Sequence, residues 1–180
     1  MGAKRLTPLI LAALLAIAVA LLAGCGEEED KLDIVEGEPV ELGELEYNVL
    51  FSRYLNPYDV EDSAFLVGQP PPASDASYFG VFVQVANHGE ESLAIPSEFV
   101  IVDSFDEEFP SIESESLYAL PLGGDIPSGD QVPAEDSTAE TGPIEGSMIL
   151  FEISQATAEN RPLKLVIEGD DGPAEVELDL

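Results

Sequence analysis

The stretch Tyr78-Phe79-Gly80-Val81-Phe82-Val83-Gln84-Val85-Ala86 decides the fold. Phe79, Val81, Val83 and Val85 recur at every second position and face one way. Phe82 and Gln84 face the other. A period of two over nine residues rich in β-branched and aromatic side chains is the pattern of a strand with a buried face. Asn87-His88-Gly89-Glu90 follows, a turn built of residues suited to positive φ.

Working outward, the same period recurs on both sides. Leu45, Tyr47, Val49 and Phe51 alternate with Glu44, Glu46, Asn48 and Ser52, which predicts a half-buried strand. Asn56-Pro57 through Gln69-Pro70-Pro71-Pro72 is a loop. Its three prolines cannot donate ladder hydrogen bonds, so they form a stiff extended piece rather than a strand or a proline-motif ligand. Further strands are expected over Phe99 to Val102, over Met148 to Ile153, and at Leu163, Leu165 and Ile167. Asp103 to Glu108 reads as a turn. Pro110 to Asp130 reads as an irregular loop with one helical turn, and Pro133 to Gly142 as turn-like. Gly169-Asp170-Asp171-Gly172 turns the chain into Ala174, Val176, Leu178 and Leu180, which alternate with acids and close a hairpin. No segment after the leader sustains a helical period, and there is no internal repeat. Short strands separated by Gly, Pro and Asp turns predict an all-β, immunoglobulin-like antiparallel β-sandwich.

The N-terminus is organised differently. Lys4-Arg5 precede an apolar run from Leu9 to Leu22, which is short for a spanning helix, and Glu27-Glu28-Glu29-Asp30 follow. Leu22-Ala23-Gly24-Cys25 resembles the bacterial lipobox, in which the cysteine thiol takes a diacylglycerol and cleavage occurs just before it. Gly2 is no myristoylation site, because Leu6 stands where Ser or Thr is required. The expected organisation is a signal peptide over 1–24, a flexible acidic tether over 25–42 and a sandwich domain over 43–180. Cys25 is the expected lipidation site, and acyl chains contributing about 0.8 kcal/mol per buried methylene would hold the chain on a membrane. As the sole cysteine, Cys25 leaves the domain without an internal disulfide. The expected location is the extracytoplasmic face of the cell envelope.

The chain has 37 acidic and 6 basic residues and a formal net charge of −31, and loss of Lys4 and Arg5 makes the mature part more negative still. That charge excludes nucleic acid as a partner and favours cations or basic partners. It also keeps an exported domain soluble, and a halophilic source would show the same excess. The mature length of about 155 residues is enough for one domain with its own core.

Two stretches resemble bacterial lipoproteins that carry a DUF4352-type, immunoglobulin-like domain. One is Tyr78 to Glu90, a long apolar strand ending in Asn-x-Gly. The other is Gly142 to Ile153, a glycine-led apolar run closing on Phe151 and Ile153. The resemblance spans Leu42 to Ile167, and the long acidic region from Pro110 to Thr141 departs from it. It implies a sandwich fold and a surface location, and brings no catalytic residues.

Catalytic motifs are missing from the sequence. There is no Gly-x-Ser-x-Gly elbow and no His-Glu-x-x-His pair, and the sole histidine, His88, falls in a turn. Carboxylates are so abundant that no glycosidase pair stands out. Calcium needs only clustered oxygens, and Asp103, Asp106 and Glu107, or Asp170 with Asp171, are the candidate ligands. Otherwise no cofactor is expected. Three functions are consistent with the sequence. The first is a non-enzymatic module that binds an envelope protein or polymer, or organises the envelope. The second is a Ca²⁺-binding module, and the third is a hydrolase.

Overall fold

The computed structural model describes residues 33–142, 144–169 and 172–179. The signal peptide, Cys25, Asp170, Asp171 and Leu180 lie outside them. Twelve strands run β1 Asp33–Val35, β2 Pro39–Leu42, β3 Leu45–Leu55, β4 Ala76–Asn87, β5 Leu93–Ala94, β6 Val100–Val102, β7 Glu108–Ile112, β8 Asp125–Ile126, β9 Gln131–Val132, β10 Ser147–Ser154, β11 Leu163–Ile167 and β12 Ala174–Leu178. Among the described residues one α-helical turn, α1, spans Thr138–Thr141, and short 3-10 turns span Asp62–Ala64 and Thr157–Glu159.

The strands form a β-sandwich, as the sequence predicts. One sheet runs β1-β12-β11-β6-β7 and the other β7-β10-β4-β3-β2, with β9 extending the β10 side of β4. β7 belongs to both: Glu108, Phe109 and Pro110 pair with β6, while Ser111 and Ile112 pair with β10. At the opposite edge the chain crosses between β1 and β2. There the Gly37 N–H donates to the Val49 carbonyl, and the Ser52 hydroxyl donates to the Glu36 carboxylate. Between the sheets lies the main core, with Phe79, Val81, Val83 and Val85 of β4 facing Ile101, Leu165, Ile167 and Val176. The alternation quoted at the outset is therefore real burial, each such side chain contributing about 1.5–3 kcal/mol.

Several expectations need correction. The tether read over 25–42 extends no further than residue 32. Residues 33–42 fold into β1, parallel to β12, and β2, antiparallel to β3, because Ile34 and Val40 are buried in the core despite their acidic neighbours. Phe51 does not share a face with Leu45, Tyr47 and Val49. Leu50 is a bulge: Val49 pairs with Val83 but Phe51 pairs with Phe82. One extra residue sends Phe51, Arg53 and Leu55 to the outer face.

Asn87-His88-Gly89-Glu90 joins β4 to β5, which pairs with β8 rather than returning along β4. Its turn needs no positive φ. The buried Asn87 side chain donates to the carbonyls of Glu91 and Ile126 and accepts from the Gly89 N–H. Pro110 to Asp130 supplies part of β7 and all of β8, and no helix forms there. Among the described residues the one α-helical turn instead falls at Thr138–Thr141, within the segment read as turn-like.

Candidate binding surface

Phe82 points away from the main core yet is fully buried. It belongs to a second cluster on the outer face of β3, β4 and β10, formed with Leu55, Phe65, Leu66, Tyr78, Met148 and Leu150. The β3–β4 loop, residues 56–75, covers this face. Phe82 stacks on Phe51 at 4.5 Å and meets the edge of Phe65 at 5.3 Å. Phe65 also touches Tyr118 at 4.9 Å.

Polar ties hold the cover in place. Asp62 is buried. Its carboxylate accepts from the Arg53 guanidinium at 2.5 Å and from the Asn56 N–H at 2.7 Å. The Arg53 guanidinium also lies 5.7 Å from the Phe65 ring centroid, a cation–π distance. Ser116 donates to the Ala64 carbonyl and Gln69 to the Glu113 carbonyl, which binds the 113–119 segment to the loop. Tyr78 donates from its hydroxyl to Pro70, and the Ala73 N–H donates to Glu152. A loop this long is either functional or disordered, and this one is tied at both ends and along its length.

On this frame large apolar side chains stand in water: Tyr58 and Val60 at 87% exposure, Val67 at 46% and, on the neighbouring segment, Leu117 at 98%. A groove of about 400 Å³ opens where the loop leaves and rejoins the sheet, lined by Tyr54, Pro57, Tyr58, Pro72, Ala73 and Tyr78. Burial pushes the pKa of the Tyr54 hydroxyl up; the charge of Arg161 pulls it down and that of Glu159 adds to the rise. Burial and then the charge of Glu152 likewise raise that of Tyr78.

A larger cleft of about 620 Å³ lies at the β1–β12 edge, lined by Val35, Glu36, Arg161 and Asp179 among others. Burial raises the pKa of Glu36, opposed by hydrogen bonds from Ser52 and the Asp179 backbone. Glu36 thus acts at the seam where the chain passes between sheets.

The predicted calcium ligands are placed as follows. Asp103 is buried, and its Oδ1 accepts from the Phe105 N–H at 2.8 Å and the Glu107 N–H at 3.0 Å, while Oδ2 accepts from Asn160 at 2.8 Å. Burial acts to raise its pKa, but the bonds from Asn160, Glu107 and Phe105 prevail and lower it. This carboxylate shapes the β6–β7 turn. Asp106 sits at φ 61° in that turn. Among the described residues no three His, Cys, Asp or Glu side chains are grouped to hold a metal. His88 is largely exposed, its Nε2 3.8 Å from Glu46. The sequence reading missed the cover and its groove. The signal available was the run Phe65-Leu66-Val67, apolar within a stretch otherwise rich in Pro, Asp and Asn.

The class defined by fold and site is a β-sandwich whose outer sheet face carries a tied, apolar-tipped loop. Solved structures agree on the fold. The yjhA protein of Bacillus subtilis matches with a TM-score of 0.51 at 19% identity, over 81% of this chain and 99% of its own. A secreted protein of Mycobacterium tuberculosis matches at 0.52 and 13% identity, over 83% and 98%. An uncharacterized β-sandwich protein of Clostridium difficile matches at 0.50 and 14%, over 85% and 99%. At these identities the likeness shows the fold alone. No family model matches the chain, and no curated protein sequence matches it.

Proposed function

We propose that this chain is a lipoprotein of the extracytoplasmic envelope, anchored through Cys25, whose DUF4352-like sandwich is a non-enzymatic binding module. The observation that carries the binding role is the cover: Tyr58, Val60, Val67 and Leu117 are held out in water by a frame fixed through Asp62, Tyr78 and Ser116. Holding several apolar side chains in solvent costs free energy, and such groups on an ordered loop mark a contact surface. Placement supports the same reading. The chain enters the sandwich at Asp33, whose register partner Glu175 follows the Gly169–Gly172 turn. The groove lies at the other end, where Leu55 pairs with Tyr78. The groove thus lies at the end of the sandwich opposite Asp33.

Two experiments test this. Cys25→Ala should move the protein out of the membrane fraction or leave its leader uncut; unchanged fractionation and unchanged mass would refute the anchor. A photo-crosslinking amino acid at Val60 or Leu117 should give one reproducible adduct in intact cells, and the same residue at Glu90, exposed in the turn that follows the far end of β4, should not. Equal labelling at both places would refute the surface.

A further inference from the structure

We propose that the groove between Tyr54, Tyr58 and Pro72 receives a lysine or arginine side chain from an extended, basic segment of a partner polypeptide. This deepens the binding reading above and rests on it.

Three features of the groove select that occupant. Its lining includes Tyr54, Tyr58, Tyr78, Pro57 and Pro72, and its volume of about 400 Å³ suits a long side chain with its flanking backbone. Tyrosine faces attract cations, the more so as the cation loses water. The chain already uses this contact at home, with Arg53 over Phe65 on the same loop.

Carboxylates flank the groove. Glu152 is bonded to the Ala73 N–H and its charge acts on Tyr78, and Glu159 acts on Tyr54. Arg161 acts on Tyr54 more strongly than Glu159 does, so an incoming cation is drawn to the Ala73 and Tyr78 side, beside Glu152. A net charge of −31 over the whole chain steers a basic partner toward the surface, and the rim decides where it stops.

Tyr58 itself is preorganised. Its N–H donates to the Asn56 side chain at 3.0 Å, the Asp59 N–H donates to the Asn56 carbonyl at 3.0 Å, and Asn56 is in turn held by Asp62. The backbone that carries Tyr58 is fixed while 87% of the residue remains exposed, so the loop itself needs little ordering before a ligand meets the ring.

The test uses the full chain in detergent micelles and a fluorescent peptide of alternating lysine and alanine, with a glutamate-for-lysine counterpart. The lysine peptide should bind, with amide shifts concentrated at residues 54–58 and 73–78, and the glutamate peptide should not. Tyr58→Ala should weaken binding about fivefold, and Tyr58→Phe, which keeps the ring, should stay within about twofold. Any bulk attraction to an acidic protein would survive Tyr58→Ala. Equal affinity in wild type and Tyr58→Ala, or shifts spread evenly over the sandwich, or no binding, would overturn the proposal. If that happens while the Leu117 crosslinker still captures its adduct, the ligand class is wrong and the binding surface stands. If the crosslinker also fails, the binding reading falls with it.

Discussion

Phe82→Ala separates the loop cover from the sandwich beneath it. Phe82 is fully buried on the outer face of β4, stacked on Phe51 at 4.5 Å and met edge-on by Phe65 at 5.3 Å. Truncating a core phenylalanine costs about 3–5 kcal/mol, because the transfer free energy is lost and a cavity remains. That range already contains the two lost aromatic pairs, each contributing about 0.5–1.5 kcal/mol, and its midpoint of about 4 kcal/mol is expected. For a domain of this size that lowers Tm by roughly 8–16 °C. The sandwich should remain folded at room temperature if its stability lies in the ordinary range of about 5–15 kcal/mol.

The location of the damage tests more than its size. Phe82 holds the cover through Phe65, while Phe79, three residues earlier, faces the main core and makes an edge contact with Tyr54 at 5.2 Å. Phe82→Ala should therefore speed hydrogen exchange and protease cutting across residues 56–75 far more than in β11 or β12. Phe79→Ala should lower Tm comparably with no such preference. Far-UV circular dichroism gives the first quantity and exchange mass spectrometry the second. If Phe82→Ala lowers Tm by less than about 3 °C, or if both variants show one exchange pattern, the cover is not a separate unit resting on Phe82 and the reasoning fails.

Other predictions concern charge, pH and backbone. Arg53→Ala should destabilise by about 2 kcal/mol, since it strips the buried Asp62 carboxylate of its cation; in an Asp62→Ala background the same change should cost well under half of that in urea unfolding. Asp103 has a folded pKa below its ordinary value of 3.8, so its share of stability is present above about pH 4 and is lost as pH falls through the lower, folded value. Asp103→Asn should flatten that part of the wild-type Tm profile below pH 4 and leave the slope above pH 5 unchanged. Gly146→Ala should cost about 1–3 kcal/mol, because φ is +102° and a Cβ would sit 3.0 Å from Leu50 and 3.2 Å from the Val83 backbone; a thermal melt matching wild type would contradict it.

Period-two burial carried most of the fold. β3, β4, β10, β11 and β12 were legible because each buries alternate side chains between the sheets, so the sequence repeats their geometry. The short elements were not. β1 and β2 each contribute little apolar surface, and Ile34 and Val40 are too isolated among Asp, Glu and Gly to show a period. Their pairing is enforced by the strands they join, β12 and β3. The Leu50 bulge was hidden for a related reason: five apolar or aromatic residues occur between Leu45 and Phe51, and a change of face within such a run leaves the composition unaltered.

The cover was harder to read for a reason that follows from its build. A site built from catalytic groups declares itself by residue type and spacing, but a cover of this kind uses common residues twice. Phe65 and Leu66 point down to fill the second cluster, while Val67, next in sequence, points out. Neither periodicity nor composition separates the three; only the sheet beneath them does. The prolines read as a stiff loop become intelligible the same way, since Pro70 accepts the Tyr78 hydroxyl and Pro72 walls the groove. The acids near the groove are placed by the same cover. Glu152 accepts from the Ala73 N–H of the cover backbone, and Glu159 acts on Tyr54 against the larger effect of Arg161, so on the proposed reading a positive visitor is drawn to the Glu152 side.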